Sequence, residues 1–230
     1  MKISKIWNDL MGLLFPESCV LCGSAMVEGE ELICMHCMYR LPRTNFHTDR
    51  ENKVEKRFFG KIPVEEASAY FYFNKGSDFR HLIHLLKYKD RKDVGAILGR
   101  FAARDLMNSD TFKGVDCIIP IPLHKKKERK RGYNQAEWIA RGMAEVMNIP
   151  MELNGIQRVK ANNTQTRKSV LQRWQNVQEI FEVKDSLLVK GKHILLVDDV
   201  LTTGATMESC AVVLLEVKGV KISIFTLAVA

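Results

Sequence analysis

Ile194-Leu195-Leu196-Val197-Asp198-Asp199-Val200-Leu201-Thr202-Thr203-Gly204-Ala205-Thr206 sets an apolar run, two adjacent carboxylates and a Thr/Gly turn in that order. A continuous apolar run that stops at turn residues reads as a strand buried on both faces, of the parallel type. The apolar spacing after Gly204 reads as a helix that begins there, so the stretch is a strand, a loop and a helix. In an open α/β sheet, ligands sit at the carboxyl ends of the strands, where the next helix presents unpaired N–H groups and the positive end of its dipole to a phosphate. Thr202, Thr203 and Thr206 add hydroxyl donors, and Gly204 allows close backbone approach. Asp198 and Asp199 repel phosphate, but they can accept from sugar hydroxyls or join the oxygen shell of Mg²⁺. The ligand that suits both halves is a phosphorylated sugar.

The order of residue types resembles the 5-phosphoribosyl-1-pyrophosphate (PRPP) motif of type I phosphoribosyltransferases. That motif is four apolar residues, two acidic, one apolar, any residue, two Thr/Ser, Gly, any residue and Thr, and every position is met here through Thr206. The resemblance implies a PRPP or ribose-phosphate site made of Asp198, Asp199, Thr202, Thr203, Gly204, Ala205 and Thr206. A buried strand with an acidic turn is one competing reading and a Walker B carboxylate another. The chain has no Gly-x-x-x-x-Gly-Lys-Ser/Thr, so a P-loop ATPase would lack its phosphate cradle.

With 230 residues, 46% of them hydrophobic, the chain can bury one α/β domain and carry a small appendage. The formal charge of +8 is concentrated: residues 123–173 hold 12 basic and 4 acidic side chains, a surplus that matches that of the whole chain. Polyanions are the natural partners, either phosphorylated ligands or nucleic acid. No apolar stretch has the roughly 18–20 residues that span a bilayer. Ile3, Ile6, Trp7, Leu10 and Leu14 have helical spacing, but Asp9 interrupts them and no small-residue cleavage site follows. The expectation is a helix docked on the body, no signal peptide and residence in the cytoplasm.

Cys19-Val20-Leu21-Cys22 and Cys34-Met35-His36-Cys37 are two C-x-x-C knuckles separated by 11 residues. Such knuckles place four thiolates around Zn²⁺, with Gly23 relieving the first turn. Disulfides compete, but the lack of a secretory signal disfavours them. His36 is an alternative ligand to one of the cysteines. A segment this short has little core, and structural zinc contributes on the order of 10–16 kcal/mol to folding such units. Four protein ligands leave no open position, so the metal reads as structural. Cys117 and Cys210 lie in apolar runs and read as small buried hydrophobes.

The organisation expected is an N-terminal helix and zinc ribbon over residues 1–42, a charged linker over 43–62 and an α/β domain over 63–230. Strands are predicted at 67–73, 115–121, 193–197 and 222–229 with a short one near Met151, and helices at 79–88, 94–107 and 134–147. Strands alternating with helices give a doubly wound parallel sheet. Pro120 and Pro122 end the 115–121 strand in an extended turn. A cationic loop, His124 to Arg131, then leads to a helix that Asn134 can cap. A rigid strand end, cations and helix N–H groups suit a pyrophosphate, although a charge run is more often a solvated surface.

Pro-x-Pro-Leu-His, Arg129-Lys130-Arg131-Gly132-Tyr133-Asn134-Gln135-Ala136, the upstream Leu86-Lys87-Tyr88, the double C-x-x-C and the C-terminal PRPP motif together resemble the ComF family of competence proteins. The resemblance covers nearly the whole chain. It implies a type I phosphoribosyltransferase domain with a parallel sheet, carrying a small N-terminal four-cysteine zinc ribbon, with a role in DNA uptake during natural transformation or in DNA repair. Leu123, His124 and Lys125 match the pyrophosphate loop of such folds. Arg158, Thr164, Gln165, Arg167, Arg173 and Asn176 match a mobile loop that covers the substrate, and so become candidate phosphate or DNA contacts. Zn²⁺ is then structural, Mg²⁺ accompanies PRPP, and single-stranded DNA and DNA-processing proteins are the candidate partners. No general base or base pocket is legible, and no catalytic residue is assigned. Two roles stay open: a PRPP-binding module within DNA handling, and an active phosphoribosyltransferase of nucleotide metabolism whose acceptor is unknown.

Overall fold

The computed structural model describes residues 17–74, 76–109, 112–160 and 180–230. The amphipathic 3–14 stretch lies outside them. The described strands are β1 (Glu66–Tyr72), β2 (Cys117–Pro120), β3 (Ile156–Arg158), β4 (Phe181–Val183), β5 (His193–Leu201) and β6 (Lys221–Val229). The described α-helices are α1 (Met35–Arg40), α2 (Lys53–Lys56), α3 (Asp78–Tyr88), α4 (Lys92–Met107), α5 (Lys125–Arg131), α6 (Gln135–Met147) and α7 (Ala205–Leu215). None of them is long and apolar enough to cross a membrane.

Four strands pair in the order β1-β6-β5-β2, all parallel. This is the doubly wound sheet expected from the apolar runs. The run Ile194 to Val197 is wholly buried because both faces of the sheet are covered. Leu195 and Val197 point into the layer of α3, α4 and α6. Ile194 and Leu196 point into the opposite layer, which contains α7. Helices α4 and α6 cross backbone to backbone at two glycines. A Cβ on Gly99 would collide with the Ile139 carbonyl oxygen, and one on Gly142 would collide with that of Ala96.

Residues 43–62, whose charge suggested a linker, place Phe46, Val54, Phe58 and Ile62 in the second core layer. The backbone of Pro42 to Thr44 runs beside β1, with Tyr72 N–H donating to Pro42 O at 2.8 Å and Thr44 N–H to Tyr70 O at 3.1 Å. That covers an edge that would otherwise present unpaired groups. The buried Asn52 amide donates to Ala67 O at 2.8 Å, and its oxygen accepts from Val54 N–H at 2.8 Å to start α2.

Three local features differ from expectation. The cations after His124 form the short helix α5 instead of a loop; His124 caps it and Gly132 ends it at φ 85°. Lys and Arg have good helix propensity, and the absence of apolar periodicity hid the helix. The strand expected near Met151 is a single parallel bridge to Ile118. The polar tract after it contains the antiparallel pair β3–β4, in which Ile156, Arg158 and Phe181 are the buried positions and each strand of three residues is too short to stand out in sequence.

Candidate ligand site and metal centre

The carboxylates of Asp198 and Asp199 diverge, because successive residues of a strand face opposite sides. Asp199 faces the α3 side, where its Oδ2 lies 2.7 Å from Lys87 Nζ and both side chains are largely shielded from solvent. Asp198 follows Leu196 into the α7 side. Its Oδ1 accepts from the Asp199 N–H at 2.8 Å, and its charge is felt by Arg158 and Cys210. Burial, followed by the neighbouring Asp199 charge, pushes the Asp198 carboxyl up to about 7, against the opposing effects of that N–H bond, Lys87 and Arg158.

Arg158, the last residue of β3 and the partner of Phe181 in the β3–β4 pair, is 9% exposed, and its guanidinium lies 5.3 Å from the centre of the Phe181 ring. Burial lowers its pKa, while Asp198 and then Cys210 raise it. Thr164, Gln165, Arg167, Arg173 and Asn176 lie outside the described residues. Cys210 and Cys117 are fully buried, as their apolar surroundings in sequence suggested, and burial pushes both thiols up.

Thr202 and Thr203 are exposed on the loop that follows the acidic pair. Thr203 Oγ1 accepts weakly from Ala205 N–H at 3.4 Å. Gly204 adopts φ 86°, and the Phe58 ring lies 3.3 Å from the position a Cβ would take, so conformation and space both select glycine here. The bond from Glu208 N–H to Gly204 O opens α7. The N–H groups of Thr206 and Met207 precede it, in the first turn, where a helix offers N–H groups without intrahelical partners.

The neighbouring strand β2 carries the second half of the site. Ile121 N–H donates to Val197 O at 2.8 Å, which fixes the Pro120–Pro122 turn beside the acidic pair. Leu123 and His124 are half-buried and Lys125 is exposed. His124 Nδ1 accepts from Lys126 N–H at 3.2 Å. Asn134 caps α6 through Ala136 N–H, as its position in sequence suggested, and donates to Ile121 O at 3.0 Å. The Tyr133 hydroxyl donates to Leu86 O. Two residues that sequence reasoning left without a role thus join the site: Lys87, which touches the acidic pair, and Tyr133, which holds the helix end that carries Lys87. Both lay within the strings Leu86-Lys87-Tyr88 and Gly132-Tyr133-Asn134-Gln135, but only tertiary contact shows what each does.

The four Sγ atoms of Cys19, Cys22, Cys34 and Cys37 lie within 4.8 Å of one another. The first knuckle is closed by Gly23 N–H to Cys19 O at 2.8 Å, the second by Met38 N–H to Cys34 O at 2.9 Å. Hydrogen bonds from Ser24 bring the Cys22 thiol down to about 6. A compact set of four soft sulfur donors fits a metal such as zinc. Leu32, Ile33 and Leu41 carry the module into the same core layer as α4.

The phosphoribosyl transferase domain family matches residues 130–230. DNA utilization protein YhgH of Salmonella typhi is 31% identical over 137 residues, covering 58% of this chain and 60% of that protein. Competence protein F of Haemophilus influenzae is 31% identical over 151 residues, covering 64% and 66%. Competence protein ComFC of Bacillus subtilis is 36% identical over 112 residues, covering 48% and 43%. In each case the chain spans less than two thirds of the relative's length. The chain therefore carries a phosphoribosyl transferase domain and is a homologue of the competence protein F, ComFC and YhgH proteins.

Proposed function

We propose that this protein binds PRPP, or a closely related phosphoribosyl ligand, at the carboxyl edge of its sheet, and that it acts in the handling of DNA during uptake or repair in the cytoplasm. The observation that carries the reading is the convergence of three features on one sheet edge: the acidic pair, the Thr/Gly loop that opens α7, and the Pro120–Pro122 turn leading to α5.

In this reading Asp198 and Asp199 accept from the ribose hydroxyls. Thr202, Thr203 and Thr206, with the backbone of Gly204 and Ala205, hold the 5-phosphate. Leu123, His124 and Lys125 border the pyrophosphate, and Arg158 with Thr164, Gln165, Arg167, Arg173 and Asn176 supplies further phosphate or DNA contacts. Bound Mg²⁺ supplies charge neutralisation of the pyrophosphate. The cysteine centre holds a structural zinc. Single-stranded DNA is the macromolecular partner, since the relatives' names speak of DNA utilization and competence and α5 with its surroundings is cationic.

The test is thermal unfolding with PRPP and Mg²⁺. A ligand that binds only the native state raises Tm by mass action, and Asp198→Asn with Asp199→Asn should abolish the shift while leaving the fold intact. A shift that survives in the double variant would remove the acidic pair from the site. Pyrophosphate release from PRPP across a panel of bases then separates a binding module from an active transferase.

A further inference from the structure

Helix α3 brings one cation into the acidic edge. Lys87 sits in its last turn, where a lysine offsets the negative end of the helix dipole. Its Nζ reaches 2.7 Å from Asp199 Oδ2, with 19% of the lysine side chain and 14% of the aspartate side chain exposed. A pair this shielded is held by more than surface attraction, and breaking one side leaves an uncompensated charge. The turn that carries Lys87 is itself fixed. The buried Tyr133 hydroxyl donates to the carbonyl of Leu86, the residue before Lys87, and Lys92 stands 5.3 Å from the centre of the Tyr133 ring. Asn134, next in the chain, holds Ile121 O at the end of β2. The strings Leu86-Lys87-Tyr88 and Gly132-Tyr133-Asn134, 47 residues apart at the Tyr133–Leu86 bond, therefore interlock at the acidic pair.

We infer that Lys87 is the positioning residue of the phosphoribosyl site, fixing the Asp199 carboxylate so that the acidic pair can receive sugar hydroxyls, and that Tyr133 holds Lys87 in register. This rests on the PRPP reading of the same site. The chemistry explains why a lysine belongs there. Burial and the adjacent Asp199 charge raise the proton affinity of Asp198, and a protonated carboxyl is a poorer acceptor for a hydroxyl. Among the described residues, the charged or titratable groups that face the pair are Lys87 from α3, Arg158 from β3 and Cys210 from α7. Lys87 is the one bonded to Asp199 at 2.7 Å.

The experiment has a ligand-free arm and a ligand arm, applied to the full chain and to Lys87→Met, Lys87→Arg and Tyr133→Phe. Carboxyl NMR titration without ligand should show Asp198 titrating at higher pH in K87M than in the unmodified chain, and close to the unmodified value in K87R. Titration with PRPP and Mg²⁺ should show K87M binding about tenfold or more weakly near neutrality, with the pH midpoint of binding moved upward and K87R restoring it. Tyr133→Phe keeps the lysine and removes only the grip on Leu86, so it should move both readouts in the same direction by less. It also provides the test if K87M fails to fold. Unchanged Asp198 titration together with unchanged affinity in K87M, or in Y133F where K87M does not fold, would overturn the inference. If the unmodified chain binds no PRPP, the phosphoribosyl reading fails, and with it the ligand role of Lys87; the titration arm then still decides whether Lys87 governs the acidic pair.

Discussion

At the scale of single residues, the buried carboxyl of Asp198 carries an electrostatic cost. Its folded-state pKa, about 7, lies above the ordinary value of 3.8, chiefly because the site is desolvated. Between those two values the folded form holds a proton that the unfolded chain has released. The stability contribution of Asp198 is therefore most favourable at low pH, declines as pH rises from about 4, and levels off above about 7. Asp198→Asn should consequently raise Tm at pH 8, by about 2–4 °C for each kcal/mol relieved in a chain of this size. Its advantage should shrink as pH falls from 7 towards 4, as thermal unfolding across that range would show. A variant that is less stable than the unmodified chain at pH 8 would mean that the carboxylate is well solvated or paired, and the desolvation cost assigned to this position would be absent. In the sequence the two acids read as following a buried strand at 193–197, whereas β5 runs through them to Leu201. That they separate to opposite faces follows from strand alternation, but which partner each one meets depends on elements far away in the chain.

Among the secondary-structure elements, β5 was legible because burial on both faces leaves a continuous apolar run, and α6 was legible because Asn134 caps it ahead of a helical apolar pattern. Helix α5 was not, since none of its residues is buried and its helicity comes from propensity and its two ends. The α4–α6 crossing was equally hidden: Gly99 and Gly142 matter through the backbone atoms they approach, which no local pattern reveals. Finding a helix in place of a loop sharpens the expectation for nucleic acid. Lys125, Lys126, Lys127, Arg129, Lys130 and Arg131 are carried on one ordered element. If single-stranded DNA tracks over it, replacing those six residues with Gln should weaken binding for all sequences alike. The replacement should also flatten the dependence of log affinity on log salt, because fewer condensed counterions are released. Fluorescence anisotropy between about 50 and 200 mM salt, where the electrostatic contribution changes steeply, measures both. An unchanged slope would place the DNA path away from α5, and competition by PRPP with Mg²⁺ would show whether the two ligands share cations.

Over the whole molecule, the cysteine module and the α/β domain share packing. Cys19, Leu32, Ile33, Cys34, Cys37 and Leu41 belong to the same core layer as Leu98, Leu106 and Phe71. Arg100 of α4 pairs with Glu31 between the two knuckles. Arg43 and the Tyr70 hydroxyl both meet Asp105, at 2.8 Å and 2.9 Å, just beyond the module. A metal that organises four thiolates would therefore also hold an apolar surface against α4. Cys19→Ser, or removal of metal by a strong chelator, should unfold the module and lower the Tm of the remainder as well, because α4 would lose its cover and leave buried side chains facing solvent. Differential scanning calorimetry with metal analysis checks this. The expected trace for the metal-replete chain is a single cooperative transition with about one zinc per chain, the stoichiometry of a four-sulfur site, and the chelated chain should unfold earlier over its full enthalpy. Two transitions, with the α/β domain unmoved after the metal is removed, would make the module an independent appendage. In that case its shared core layer would contribute little to stability, and its value would lie in the surface it presents, including Met35 and the almost fully exposed Tyr39.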